Sequence, residues 1–260
     1  MDARRNNGRW LLRIDDLDTP RNTPGAASII LHCLEAFGLH WDGEVYYQSQ
    51  HLSAYAEAIT ELQNRVYACS CSRKVLQDYP SVYPGFCRNK LLDIQEHALR
   101  IKTTDSQICF TDRIQGTISV NMASCHGDFV IKRRDGVIAY QLAVVVDDHL
   151  QQVTQVVRGA DLLDSTVKQI YLQQLLGFQS PKYLHVPVII DHQGEKLSKQ
   201  TRAQAIDHNQ PPAALFLLLQ LLKQNPPPWL RTASLAEIIA WGIAHWQPQQ
   251  LSNILTIEQT

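Results

Sequence analysis

Residues 153–178, VTQVVRGADLLDSTVKQIYLQQLLGF, decide the fold. VTQVVRGAD reads as a strand that ends in charge at Arg158 and Asp161. STVKQIYLQQLLGF then places apolar residues at helical spacing between a serine cap and a glycine stop, so it reads as a helix. A second apolar run follows, YLHVPVIID at 183–191, and it too runs into charge, in GEKLSKQ at 194–200. Strands alternating with helices, with charge gathered where strands end, predict an α/β protein built on a parallel sheet. In such sheets ligands sit outside the carboxyl ends of the strands.

The alternation continues outward. RWLLRID at 9–15 reads as a buried strand, with the carboxylate run DDLD at its end. PGAASIILHCLEAFG (24–38) and HLSAYAEAITELQNR (51–65) read as helices, the first with a Pro–Gly entry and a glycine stop. From Val66 to Lys90 the chain is rich in Cys, Tyr, Pro and Gly and reads as a compact insert. ALRIKT, QICFTDR and GTISVN predict a small antiparallel subdomain, and GDFVIKRRDGVIAY a hairpin turning at Asp135–Gly136, a pair suited to two positive φ angles. Beyond Lys199, PAALFLLLQLLKQ and LAEIIAWGIAHW are amphipathic helices separated by the breaker NPPPW. The expected organisation is a catalytic α/β unit split over 1–65 and 126–205, an insert with a small β subdomain over 66–125, and a helical region over 206–260.

At 260 residues, with 45% hydrophobic and 19% charged residues, the chain can bury a real core. A net charge of −1 excludes the basic excess of a protein that grips a long nucleic acid, so any such footprint is expected to be small or local. No apolar run is long enough to span a membrane, and the start MDARRNNGRW has no apolar stretch behind its basic residues, so the expected location is cytoplasmic.

Of six cysteines, Cys33, Cys109 and Cys125 stand alone and are expected to be buried small hydrophobes. Cys69, Cys71 and Cys87 cluster. Two thiols in C-x-C can reach one metal ion from a single turn, and a returning loop can bring a third. A structural zinc ion takes four ligands. No histidine lies in the insert, which leaves Tyr79, Tyr83, Asp78 or water for the fourth. In K-x-S-K, Lys196 and Lys199 flank a small hydroxyl residue, a pattern that alone describes any solvated loop.

LLRIDDLDTPR, CSC with YPGFC, DFVIKRRDGVIAYQLAVVVDDHLQQVTQVVRGADLLDST and GEKLSKQ together change that. In order and spacing, from about residue 8 to residue 205, they resemble the class I glutamyl-tRNA synthetase catalytic core. They look most like the short paralogues that glutamylate the queuosine base of tRNA(Asp). The resemblance implies a Rossmann-like parallel sheet with a zinc-binding insert and a small C-terminal helical region. It implies ATP, with Mg2+, and L-glutamate as substrates, tRNA(Asp) carrying queuosine as partner, and a monomer. KLSKQ corresponds to the family's KMSKS loop, so Lys199 is expected on the ATP phosphates with Lys196 in support. Lysines aimed there stabilise charge that builds in the transition state.

By the same resemblance Arg158 takes the glutamate side-chain carboxylate, for which a two-pronged contact is expected. Tyr140 supplies a hydroxyl and a flat wall. Asp15 faces the ammonium group from a position usually held by Glu, one methylene longer, so its contact is expected to be lengthened or water-bridged. The zinc ligands are expected to be Cys69, Cys71, Tyr83 and Cys87. The stretch after KLSKQ is too short for the anticodon-binding domains of a full glutamyl-tRNA synthetase, which favours the paralogue. The family also opens with a strand, a Ser-Pro-Ser loop and a HIGH-like helix start that hold ATP, and these are expected to be missing from residues 1–65, leaving the lysines half a site. Two rival readings are a discriminating glutamyl-tRNA synthetase and a degenerate zinc-stabilised module that binds RNA or an amino acid.

Overall fold

The computed structural model describes residues 1–18, 22–79, 82–197 and 210–258. The N-terminal third runs through α1 (Asp2–Arg5), β1 (Arg13–Ile14), α2 (Ala26–Ala36), β2 (Tyr46–Tyr47) and α3 (Leu52–Glu61). Next come β3 (Val66–Cys69), α4 (Arg73–Leu76), β4 (Ala98–Ile101), β5 (Gln107–Asp112), β6 (Gly116–Asn121) and α5 (Met122–Cys125). β7 (Phe129–Lys132), α6 (Tyr140–Leu150), β8 (Gln155–Gly159), α7 (Leu163–Leu175), β9 (Lys182–Val186) and β10 (Val188–Ile190) follow. The chain ends in α8 (Pro211–Leu221), α9 (Leu235–Ala244) and β11 (Thr256–Glu258).

The strand–helix–strand reading of 153–191 holds: β8 and β9 pair in parallel, with Arg158 opposite His185, and α7 connects them. Their sheet has the order β6-β5-β9-β8, in which β5 also joins β9 in parallel. RWLLRID contributes only the two residues of β1, half-buried and paired in parallel with β2 in a separate two-stranded sheet. The stretches expected as one antiparallel subdomain divide between two sheets. β4 lies between β3 and β7, whereas the β5–β6 hairpin extends the parallel sheet. Propensity reports that a segment is extended; which sheet it joins depends on distant partners.

Local details also differ. At 135–136 only Gly136 takes positive φ, 88°, and beyond the turn a single bridge, Lys132 to Ile138, replaces a second strand. Ser165 is not the cap of α7, which begins at Leu163; its hydroxyl instead accepts from Gln141 Nε2 at 3.0 Å. α9 has the reciprocal Ser234–Glu237 capping box, which satisfies two otherwise orphaned N–H groups. Cys109 and Cys125 are exposed and Cys33 half-buried, contrary to expectation; Cys109 lies on the outward face of β5, whose burial alternates.

The main core fills the space where α6 and α7 meet the sheets. Leu142, Ala143, Val145 and Val146 of α6 pack with Val167, Ile170, Tyr171 and Leu172 of α7 and with Leu99, Ile101, Ile108 and Ile131 from the strands. Burying a Val, Leu or Ile side chain contributes about 1.5–3 kcal/mol, so this cluster fixes α6 and the end of β8 relative to each other. The C-terminal helices form their own core around Phe216, Leu219, Leu230 and Ile238. They dock on β9 through Leu184, Trp246 and Leu251. Buried Asp2 ties α1 to both regions, bonding Arg113 Nη1 and Trp246 Nε1 at 2.8 Å each. Among the described residues no helix is long and apolar enough to cross a membrane.

Candidate active site and metal centre

At the carboxyl end of β8, Arg158 meets the first residue of α6, Tyr140, with Nη1 3.3 Å from the phenolic oxygen. The rest of the guanidinium is held from inside. Its Nε donates to His185 Nε2 at 3.1 Å. Its Nη2 donates to Thr166 Oγ1 at 2.6 Å and to Gln169 Oε1 at 2.7 Å. His185 Nδ1 lies 2.7 Å from Asp112 Oδ2, and Gln169 Nε2 donates to Gln141 Oε1 at 3.1 Å. The expected two-pronged contact through two guanidinium nitrogens is therefore not what the geometry offers. The edge turned outward is Nη1 beside the Tyr140 hydroxyl, and Tyr140 is 39% exposed.

Asp15 lies in a neighbouring cluster. Arg13 Nε donates to Asp15 Oδ1 at 3.0 Å, and Arg13 Nη1 to Asp148 Oδ1 at 2.7 Å. Fully buried Asp147, 3.8 Å from Arg13 Nε, accepts from Tyr46, Tyr55 and Gln48 at 3.0, 2.7 and 2.6 Å. The surrounding protein pushes the Asp15 carboxyl above the usual carboxylate range although 46% of its side chain remains exposed, Arg13 pulls it back in part, and Asp147 and Asp16 add to the rise. Asp148 is raised by burial in the same way and feels both Arg13 and Arg158, which makes it the electrostatic link between the two clusters.

Lys196 Nζ lies 2.6 Å from Asp161 Oδ2, which joins two of the charged strand ends, RGAD and GEKLSKQ. Gly159 makes room for this pair: a Cβ there would overlap Asp161 Oδ1 and fall 3.2 Å from Val188 Cγ1. Lys199 lies outside the described residues.

In the insert, the sulfurs of Cys69, Cys71 and Cys87 lie within 4.8 Å of one another and could hold a metal ion. The Tyr83 hydroxyl sits 3.4 Å from both Cys69 and Cys71 sulfur, and Cys71 sulfur 3.6 Å from that of Cys87. Tyr79, the other tyrosine candidate, is exposed and packs edge-on against Phe86. Burial pushes the Cys87 thiol up, but hydrogen bonds from Tyr83, Ser70 and Cys71 outweigh it and bring the thiol down to about 6. Arg100 Nε points at Cys69 sulfur, 3.3 Å away, and its guanidinium lies 3.9 Å over the Tyr83 ring.

The structure thus unites Tyr140 with Arg158 and Cys69, Cys71 and Cys87 with Tyr83, and ties Asp15 to Arg13, whose partner Asp148 also feels Arg158. Sequence reasoning missed His185, Asp112, Thr166 and Gln169. The available signal was a histidine inside the apolar run YLHVPVII, where a buried polar group needs partners.

The sequence matches the family described as tRNA synthetases class I (E and Q), catalytic domain, over residues 1–81 and 86–227. It is 48% identical to a glutamyl-Q tRNA(Asp) synthetase of Pseudomonas putida (strain W619), covering 100% of this chain and 88% of that protein. It is 46% identical to the Pseudomonas aeruginosa PAO1 protein of the same name, covering 100% and 89%. The fold is similar to that of a glutamate tRNA ligase from Elizabethkingia meningosepticum solved in complex with its amino acid. The TM-score is 0.78 at 22% identity, over all of this chain and 62% of that one. Matched over most of its length by the catalytic-domain family and at 46–48% identity by full-length relatives, the chain belongs to the family of class I tRNA synthetases (E and Q).

Proposed function

We propose that this chain is a ligase of the aminoacyl-tRNA synthetase type that activates L-glutamate with ATP and transfers the glutamyl group to the queuosine base of tRNA(Asp). The observation that carries the reading is Arg158 Nη1 beside the Tyr140 hydroxyl at the end of a parallel strand. Together they offer two donors, one cationic, to the glutamate side-chain carboxylate. Asp15 receives the ammonium group. The α-carboxylate then attacks the α-phosphorus of ATP and pyrophosphate leaves; a queuosine hydroxyl then attacks the activated carbonyl and AMP leaves. Lys199, supported by Lys196, faces the phosphate charge that develops. The Lys196–Asp161 pair is half in solvent, and an exposed pair of this kind contributes about 0–1 kcal/mol. The choice of tRNA(Asp) follows the names of the most similar relatives and the small net charge.

Cys69, Cys71, Cys87 and Tyr83 fit a structural zinc ion. With zinc–sulfur bonds of 2.3 Å, tetrahedral geometry puts two sulfurs about 3.8 Å apart, and a sulfur and an oxygen about 3.5 Å apart. The observed 3.6 Å and 3.4 Å agree with those edges. When bound, the metal supplies a cross-link that holds the two ends of the insert together.

The test is to incubate the protein with ATP, labelled glutamate and tRNA. Label is expected in the queuosine nucleoside released from tRNA(Asp). Label on the 3′ end of tRNA(Glu) would favour the tRNA-charging alternative. Arg158→Ala is expected to weaken L-glutamate binding, measured by calorimetry, by about 1.5–3 kcal/mol, the usual loss of a hydrogen bond to a charged group.

A further inference from the structure

We propose that His185, oriented by Asp112, is a positioning residue for Arg158. The inference rests on the reading of Arg158 as the residue that receives the glutamate carboxylate.

Three adjacent strands each contribute one side chain to a line: Asp112 from the end of β5, His185 from β9 and Arg158 from β8. His185 is fully buried and Asp112 is 2% exposed. Asp112 also accepts from the backbone N–H groups of Ile114, Gln115 and His185, at 2.9, 2.8 and 3.1 Å. Those donors stabilise its ionised form, so the proton between Asp112 and His185 sits on Nδ1. Nε2 is then bare. Arginine carries five N–H donors and no acceptor, so the contact of Arg158 Nε with His185 Nε2 can run in only one direction, from arginine to histidine.

The consequence is a guanidinium whose inner edge is bound to the protein before substrate arrives. Nε is held by His185, and Nη2 by Thr166 and Gln169. Rotation about the long arginine stem would carry Nη1 away from Tyr140; with Nε and Nη2 fixed, Nη1 stays beside the hydroxyl. Ordering the side chain in advance removes that cost from the binding step.

The experiment separates this role from mere packing. His185→Asn keeps a donor toward Asp112 and loses the acceptor toward Arg158, whereas His185→Gln can place an oxygen near the Nε2 position. Calorimetry is expected to show the Kd for L-glutamate rising about tenfold or more in His185→Asn, the usual loss of a hydrogen bond to a charged group. His185→Gln is expected to recover most of that loss, and ATP affinity to hold in both variants. In the unsubstituted protein with 15N-labelled histidine and arginine, NMR is expected to show a proton on His185 Nδ1, none on Nε2, and a slowly exchanging Arg158 Nε–H. A protonated Nε2 would overturn the proposal, as would an equal loss of glutamate and ATP affinity in His185→Asn. If Arg158→Ala loses glutamate and His185→Asn does not, the positioning role alone fails. If Arg158→Ala binds glutamate as the parent does, the reading of Arg158 fails and the proposal with it.

Discussion

Asp15 shows how one residue can set the pH response of binding. Burial and the nearby Asp147 and Asp16 charges raise its carboxyl above the usual range despite the pull of Arg13. Only the ionised carboxylate attracts an ammonium group. As pH falls through a raised pKa, Asp15 takes up a proton, and affinity for L-glutamate is expected to drop while an ordinary aspartate, near about 3.9, would still be charged. The side chain of free glutamate titrates near about 4.3 and weakens binding in every variant. The comparison is therefore with Asp15→Asn, which should bind less tightly at neutral pH and lose the earlier part of the acid dependence. Calorimetric titrations from neutral pH down to about the ordinary aspartate range, near 3.9, measure this, and identical pH profiles would remove Asp15 from the ammonium site. Tyr140→Phe deletes only the hydroxyl beside Arg158 Nη1. Its expected cost is about 0.5–1.5 kcal/mol in glutamate affinity, the net worth of one hydrogen bond.

At the scale of elements, the turn after β8 and the cysteine insert each make a prediction. A methyl at position 159 would strike Asp161 Oδ1, so Gly159→Ala is expected to break the Asp161–Lys196 pair. Because that pair is exposed, its loss is expected to change thermal stability by no more than about 1 kcal/mol, and an Asp161–Lys196 contact that persists in a crystal structure of the variant would refute the clash. In the insert, protein prepared without added metal is expected to carry close to one zinc ion per chain by elemental analysis. Cys69→Ser/Cys87→Ser is expected to carry almost none, and undiminished zinc in that variant would exclude this centre. These elements also mark how far the sequence could be read. The alternation of apolar runs and glycine stops located β8, α7 and β9, and the charge at strand ends located Arg158 and Asp161, because strand geometry and chain order are local properties. The division of β4 and β5 between two sheets, the Asp112–His185 pair and the parallel β10–β11 contact were not legible. Each joins residues 60 or more positions apart, or is set by which edge a hairpin happens to meet. No local pattern encodes those choices.

For the molecule as a whole, buried aspartates act as ties between parts distant in sequence. Asp2 joins the N-terminus to Arg113 and Trp246, Asp112 joins β5 to β9, and Asp128 joins the cysteine insert to the antiparallel sheet through Arg88, Tyr67 and the Thr103 N–H. In all three, burial pushes the carboxyl up and hydrogen bonds outweigh it, so each ends below the ordinary range. A carboxylate with a depressed folded pKa contributes stability that is present above its unfolded value, about 3.9, and is lost as pH falls through the folded one. Below about pH 4 the unfolded chain therefore binds more protons than the native one. Each tie then removes up to about 1.4 kcal/mol per pH unit. Asp15 and Asp148 have the opposite sign: their raised carboxyls take up protons in the folded protein first, so acidification from neutral toward pH 4 relieves a cost. Apart from the loss of zinc as its thiolates take up protons, urea unfolding across pH is expected to show stability level or slightly rising down to about pH 4–5, and then falling steeply. Asp128→Asn should lower stability at neutral pH and make the acid fall shallower by about one proton. A fall in Asp128→Asn as steep as in the parent would show that Asp128 titrates alike in the folded and unfolded chain, and that the insert is held to the sheet by packing and metal alone.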